Sequence, residues 1–182
     1  MSRVEVTTQE QLDSAIKGRK PGDVIVCLGG TLDRPLIVRG SSSVEALASS
    51  SVEARGSSLV VAGGSSHVVA RGSSSVVALE SSSVEARGSS SVEARGSSSV
   101  EARESSSVEA LESSHVVAWG SSHVVALESS SVEARGSSSV VASKFVPVHV
   151  HSKNVRVKGG VVISVPDLDT LTPAEWCDYY GV

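Results

Sequence analysis

Aromatic residues supply only 3% of the 182-residue chain, and between residues 41 and 144 there is no Asn, Asp or Thr at all. The hydrophobic share is 40%. Nearly all of it is Val and Ala, which excludes a conventional core of interlocking Leu, Ile and Phe. No stretch approaches the run of about 18 apolar residues that a membrane helix needs, so no membrane association is expected. The net charge of −4 is mild and of the wrong sign for a general nucleic-acid binder. There are two cysteines, Cys27 and Cys177. They stand at opposite ends of an elongated chain, beyond the reach of an internal disulfide, which points to a reducing compartment. Met1 to Glu5 contain no apolar run with a cleavage site, so no secretory signal is expected.

What is present is a repeat. From Ser41 to Lys144 the chain is thirteen consecutive octads without an insertion, with the consensus Ser-Ser-Ser-Val-Glu-Ala-Arg-Gly seen at Ser89 to Gly96. Positions one and two are Ser in every octad, position four is Val and position six is Ala. Position three is Ser, His or Leu, and position five is Glu or Val. Val and Ala therefore alternate with mostly polar residues, a period of two that marks a strand with one apolar face. Most octads close on Gly or a charged residue, followed by Ser-Ser, which is turn chemistry every eight residues. A helix is excluded, because an octad drifts about 80° per repeat on a 3.6-residue period and smears any stripe.

A short strand and a tight corner repeated at constant length mean a solenoid. The seventh position sets the coil. In odd octads it reads Leu47, Gly63, Leu79, Arg95, Leu111, Leu127 and Ser143; in even octads Arg55, Arg71, Arg87, Arg103, Trp119 and Arg135. Sorting by twos nearly separates Leu from Arg, whereas sorting by threes mixes them. The expected fold is therefore an all-β, two-sheet parallel β-solenoid of about 16 residues per coil. Side-chain size agrees, because Val and Ala can fill the gap of about 10 Å between two sheets but would leave voids in a triangular coil. At about 4.8 Å per coil the octads make a rod of roughly 31 Å. The second Ser of each octad is expected to point inward or into the corner and bond to backbone.

Three regions follow: a cap over residues 1–40, the octads over 41–144, and the last coils with a capping helix over 145–182. Thr8 to Lys17 reads as a short amphipathic helix with Leu12 and Ile16 four apart. A turn at Lys20–Asp23 leads to a strand at Val24–Leu28. Asp33–Gly40 already fits the octad frame, with Leu36 and Val38 inside. Phe145–Ser152 keeps that frame, and Val155, Val157 and Val161–Val165 continue it with a slipped phase. Leu171–Gly181 reads as a C-terminal helix, with a capping box of Thr172 and Glu175 and with Pro173 at its first position. Three of the five aromatics lie there: Trp176, Tyr179 and Tyr180. This helix is read as a lid on the last coil, or as a docking element.

The N-terminal layout of short helix, Lys-Pro-Gly-Asp, apolar strand and Gly-Gly resembles the opening of right-handed parallel β-helix proteins. The Ser-Ser-Val-Glu-Ala-Arg-Gly octad, with the tail Glu-Trp-Cys-Asp-Tyr-Tyr-Gly, resembles octapeptide-repeat β-solenoids of bacteriophages, particularly those of actinobacteria. The resemblance covers more than half of the chain. It implies the solenoid, and a place in the cytoplasm of an infected host or on a virion, but no activity. So regular a repeat is also compatible with an engineered or consensus sequence.

Glu at the fifth position and Arg at the seventh point outward on one strand, as in Glu53 with Arg55, Glu85 with Arg87, Glu101 with Arg103 and Glu133 with Arg135. β-helix polysaccharide lyases and hydrolases need a singular cluster of carboxylates. A copied Glu–Arg pair is instead charge compensation, so no catalytic residue is assigned and the protein is not expected to be an enzyme. The column Arg55, Arg71, Arg87, Arg103 and Arg135 could hold a glycan or a polyanion, although the adjacent Glu column opposes the latter. His67 and His115 share one face three coils apart, His123 lies on the other, and His149 and His151 are an isolated pair. No metal or cofactor site is expected from them. Without Asp or Thr in the octads, calcium sites and ice-binding Thr rows are missing as well.

The odd face carries Val61, Val77, Leu79, Leu111, Val125, Leu127 and Val141, an apolar stripe suited to contact. Unless its seventh-position residues fold away into the corners, it pairs two copies or docks on a protein partner. The expected function is a non-enzymatic rigid scaffold that self-associates or binds protein. The alternatives are glycan or polyanion binding on the Arg face and, last, a carbohydrate-active enzyme.

Overall fold

The computed structural model describes residues 3–20 and 23–165. The expected C-terminal helix, with Trp176, Tyr179 and Tyr180, lies outside them.

The chain opens with β1 (Arg3–Val6), α1 (Gln9–Gly18), β2 (Val24–Cys27) and β3 (Leu36–Val38). Twelve strands of four residues follow, one per octad, from β4 (Ser43–Ala46) to β15 (Ser131–Ala134). The described chain ends with β16 (Ser139–Val150) and β17 (Arg156–Ser164). Each octad strand pairs in parallel with the strand two octads away and in register, for example Val92 with Val108 and Val84 with Val100. The molecule is thus a parallel β-solenoid of about 16 residues per coil and about nine turns. Odd octads continue β1, β2 and β4 as a first sheet, and even octads continue β3 as a second. β16 bends from the first sheet into the second, and β17 pairs with it along both parts.

The interior is the one that the octad dictates. Val84 and Ala86 are 1% and 0% exposed, and the fourth and sixth residues of every other octad are buried with them. Two small side chains per strand close the gap between the sheets. The second Ser of twelve octads, from Ser50 to Ser138, is also buried. The expected bond to backbone forms at four of them: the hydroxyls of Ser58, Ser74, Ser106 and Ser130 donate to the carbonyl three residues back, at 2.6–3.1 Å, whereas the other eight have no partner. The corner backbone extends the ladder as well: Ser89 N–H donates to Gly72 C=O at 2.9 Å, and Arg87 N–H to Ala70 C=O at 2.9 Å.

The eighth residue of the first twelve octads turns the corner in the left-handed region. Gly72 and Gly88 both have φ +71°, Glu80 has +57° and Glu128 has +58°. That conformation costs a residue with a side chain about 1 kcal/mol or more, which explains the Gly. The Glu residues at this position compensate. The carboxylate of Glu80 accepts from Gly64 N–H at 2.7 Å, that of Glu104 from Gly88 N–H at 3.1 Å, that of Glu112 from Gly96 N–H at 3.0 Å and that of Glu128 from Glu112 N–H at 2.9 Å. Each closes a corner donor one coil back.

The N-terminal end is sealed as expected. α1 begins on a capping box of Thr8 and Gln11, and Leu12 is fully buried against Val6 and Ile25. The slipped phase at the other end is also present. Ser139 faces Arg156, seventeen residues on, whereas Pro147 faces Val161, fourteen on. Gly159 and Gly160, at φ +82° and +75°, cut that corner short.

Candidate functional site

The two outer faces differ in chemistry. On the second sheet the fifth-position column runs Glu53, Val69, Glu85, Glu101, Val117, Glu133, beside a seventh-position column of Arg55, Arg71, Arg87, Arg103, Trp119, Arg135. The two columns interlock. Glu53 contacts Arg55 of its own coil at 3.0 Å and Arg71 of the next at 2.8 Å. Glu85 likewise takes Arg87 at 2.6 Å and Arg103 at 3.4 Å. Glu101 holds Arg103 at 2.8 Å, and Glu133 holds Arg135 at 3.3 Å. Where Val69 replaces Glu, Arg71 reaches back to Glu53. All five Arg of the candidate polyanion face therefore have a carboxylate partner.

Glu53 is the most enclosed of these carboxylates, with 9% of its side chain exposed. The hydrogen bond from Arg55 holds its pKa below the ordinary carboxylate value; burial opposes this, and the charges of Arg71, Arg55 and Arg39 support it.

The ladder breaks at one octad. In His115–Ala118 and the residue that follows, Val117 stands in place of Glu and Trp119 in place of Arg. Trp119 is 38% exposed, and the Arg135 guanidinium lies over its ring, 4.6 Å from the centroid. His115 Nδ1 lies 2.9 Å from the Ser131 hydroxyl. Beside this break a trough of about 660 Å³ runs along the rod from His67 to Arg135. Neither the break nor the trough was singled out in the sequence; one octad in which both outward positions depart from consensus is the signal that points to it.

The first sheet carries the apolar candidates. Val61, Val77, Leu79, Leu111, Val125 and Leu127 are half-buried, and Val141 is 37% exposed. The seventh-position Leu residues are thus neither fully outward nor folded away. Leu59, at a third position, adds to the stripe with 41% exposure. The stripe is not continuous: Glu93, paired with Arg95, and Glu109 separate an early group around Leu79 from a late group around Leu127.

Cys27 is buried, and burial pushes its thiol up to about 12, so it is no nucleophile at neutral pH. His149 lies beside Glu133 in the ladder, and His151 Nε2 is 3.8 Å from Glu133. Among the described residues no three His, Cys, Asp or Glu side chains gather as a metal site. No described helix is long and apolar enough to cross a membrane. Comparison with protein-family models, curated proteins and solved structures brings no match.

Proposed function

We propose that the protein is a non-enzymatic rigid scaffold that associates with a second copy of itself through the outer face of the first sheet. The order of residues along that face carries the reading. Leu79 and Leu111 stand one coil on either side of Arg95, and Val61 and Val125 stand two coils on either side of Glu93. A second rod laid antiparallel across the face, with the two-fold through the Glu93–Arg95 coil, sets Leu79 against the second copy's Leu111. It sets Val61 against Val125, and Leu127 over the gap left by Gly63. The central ion pairs of the two copies then close into one group of four charges. An isologous contact needs patches that match when the chain is reversed; here Leu79 with Leu111 and Val61 with Val125 match, while Val77 meets the second copy's Glu109.

The resemblance to bacteriophage octapeptide solenoids supplies a setting, a virion or an infected cell, in which a stiff paired rod serves as a structural part. The experiment is the mass in solution of the chain and of the Leu79→Lys, Leu127→Lys double variant. The expected result is twice the 18.6 kDa of the chain for the first and the single mass for the second, with identical circular dichroism. A single mass for the unaltered chain, or a doubled mass that survives both Lys residues, defeats the reading.

A further inference from the structure

We infer that the outer face of the second sheet binds a neutral oligosaccharide along the trough that passes Trp119. This goes beyond the self-association proposed above and uses the opposite face of the rod.

The inference starts from the break in the repeat. A pattern that copies Glu and Arg along the rod is surface chemistry without an address. The octad with Val117 and Trp119 is the even octad, among those of the repeat, in which both charges are replaced together; its counterpart with Val69 keeps Arg71. The short Val117 leaves open space beside the edge of the indole. The cation–π contact from Arg135 holds the ring in one orientation. Arg135 covers one face of the ring; with 38% of Trp119 exposed, what remains is a rigid apolar surface next to polar groups, which is the composition of a small-ligand site.

The approach to that platform suits a chain rather than a single sugar. The trough passes the small third-position residues Ser83 and Ser99, so its floor is low and carries hydroxyls. Successive coils stand about 4.8 Å apart, close to the length of one extended pyranose unit. A linear saccharide laid along the rod therefore meets Glu85 with Arg87 and Glu101 with Arg103 on successive coils before it reaches Trp119.

Charge decides between ligand classes. Arg87 and Arg103 share the carboxylate of Glu85, Arg103 also bonds Glu101, and Arg135 bonds Glu133. A polyanion would have to compete with carboxylates already seated on these guanidinium groups. A sugar hydroxyl does not: it accepts from a guanidinium N–H left free by the pair and donates to a carboxylate lone pair left free by the same pair. The interlocked columns thus favour a ligand that is neutral and rich in hydroxyls.

The test follows Trp119 fluorescence in a Trp176→Phe background, because the chain has two tryptophans. The probes are tetra- to hexasaccharides of glucose, mannose and N-acetylglucosamine, with heparin fragments of equal length beside them. The expected result is a saturable change with at least one neutral series, little altered between about 0.1 and 1 M salt. The Trp119→Arg variant restores the octad consensus and so keeps the solenoid; since it removes the fluorophore, it is compared with the unaltered chain by titration calorimetry, where it is expected to bind about tenfold more weakly or worse. Undiminished binding in the Leu79→Lys, Leu127→Lys variant keeps this result independent of self-association. No saturable change with any neutral probe at millimolar concentration, equal affinity for Trp119→Arg, or salt-sensitive binding of heparin alone overturns the inference.

Discussion

The side-chain amide of Gln9 bonds to both backbone groups of Ile37. Its Nε2 donates to the Ile37 carbonyl at 3.0 Å, and its Oε1 accepts the Ile37 N–H at 2.6 Å. One side chain of α1 thereby does what the next strand of the second sheet would do. A bare parallel edge with its donors and acceptors free is a template for another chain. Gln9→Ala opens that edge and leaves two partly buried backbone groups without partners, at a cost of about 1–3 kcal/mol. The expected outcome is faster amide exchange at Ile37 and mass that grows with concentration in light scattering. An unchanged exchange rate at Ile37 would mean that α1 seals the end without this amide.

Glu80 separates strain from compensation at a corner. Glu80→Ala keeps the φ of +57° with its cost and removes the carboxylate that accepts from Gly64 N–H. Glu80→Gly removes both. The Ala variant is expected to lose about 1 kcal/mol in denaturant melts, and the Gly variant to stay close to the parent. Equal losses for the two would show that the bond to Gly64 and not the backbone strain governs the corner.

The coil was legible in the octad because its seventh position alternates in kind, and the structure pairs Val92 with Val108 accordingly. The inward Val and Ala, the buried second Ser, the helix beginning at Thr8 and the phase slip after Val150 were legible for the same reason: each depends on near neighbours in sequence. The strands are four residues, the third to the sixth of each octad, because the seventh residue already belongs to the corner. The role of Glu80 was hidden. A Glu in a turn looks like solubilising charge until φ is known, and its partner lies 16 residues back. Gln9 and Ile37 are 28 residues apart, and no local pattern links them. The Trp119 trough was hidden because it is made by what the neighbouring coils lack as much as by the residue itself.

The narrow interior has its own consequence. Ala86 is fully buried between the sheets, and Val84 beside it is 1% exposed. Leu at position 86 adds volume that neither sheet can accept without moving apart, and the movement must pass to the coils above and below. Overpacking of this kind costs about 1–3 kcal/mol or more. For a chain of this size that lowers the melting temperature by about 2–4 °C for each kcal/mol. Ala86→Ser keeps the volume and is expected to lose less. A Leu variant as stable as the parent in a calorimetric melt would mean that the sheets are not packed as tightly as this interior requires.

Glu53 makes stability depend on acid. Its carboxylate lies between Arg55 at 3.0 Å and Arg71 at 2.8 Å, and its folded pKa is held below the ordinary value of 4.5. The unfolded chain therefore takes up a proton first as pH falls. The ionised pair stabilises the fold at neutral pH, and that stability is lost from about pH 4.5 downward, through the lower folded value. Glu53→Gln is expected to cost about 1 kcal/mol at pH 7, a modest figure because both guanidinium partners remain half in water. In acid, once Glu53 is protonated, parent and variant should converge. Glu101→Gln serves as the comparison: its carboxylate is 36% exposed against 9% for Glu53, so its effect at pH 7 should be smaller. Urea melts across the pH range read the difference directly. A gap between parent and Glu53→Gln that stays constant into acid would assign the loss to packing, and the ionised pair with Arg55 and Arg71 would then contribute nothing to the fold.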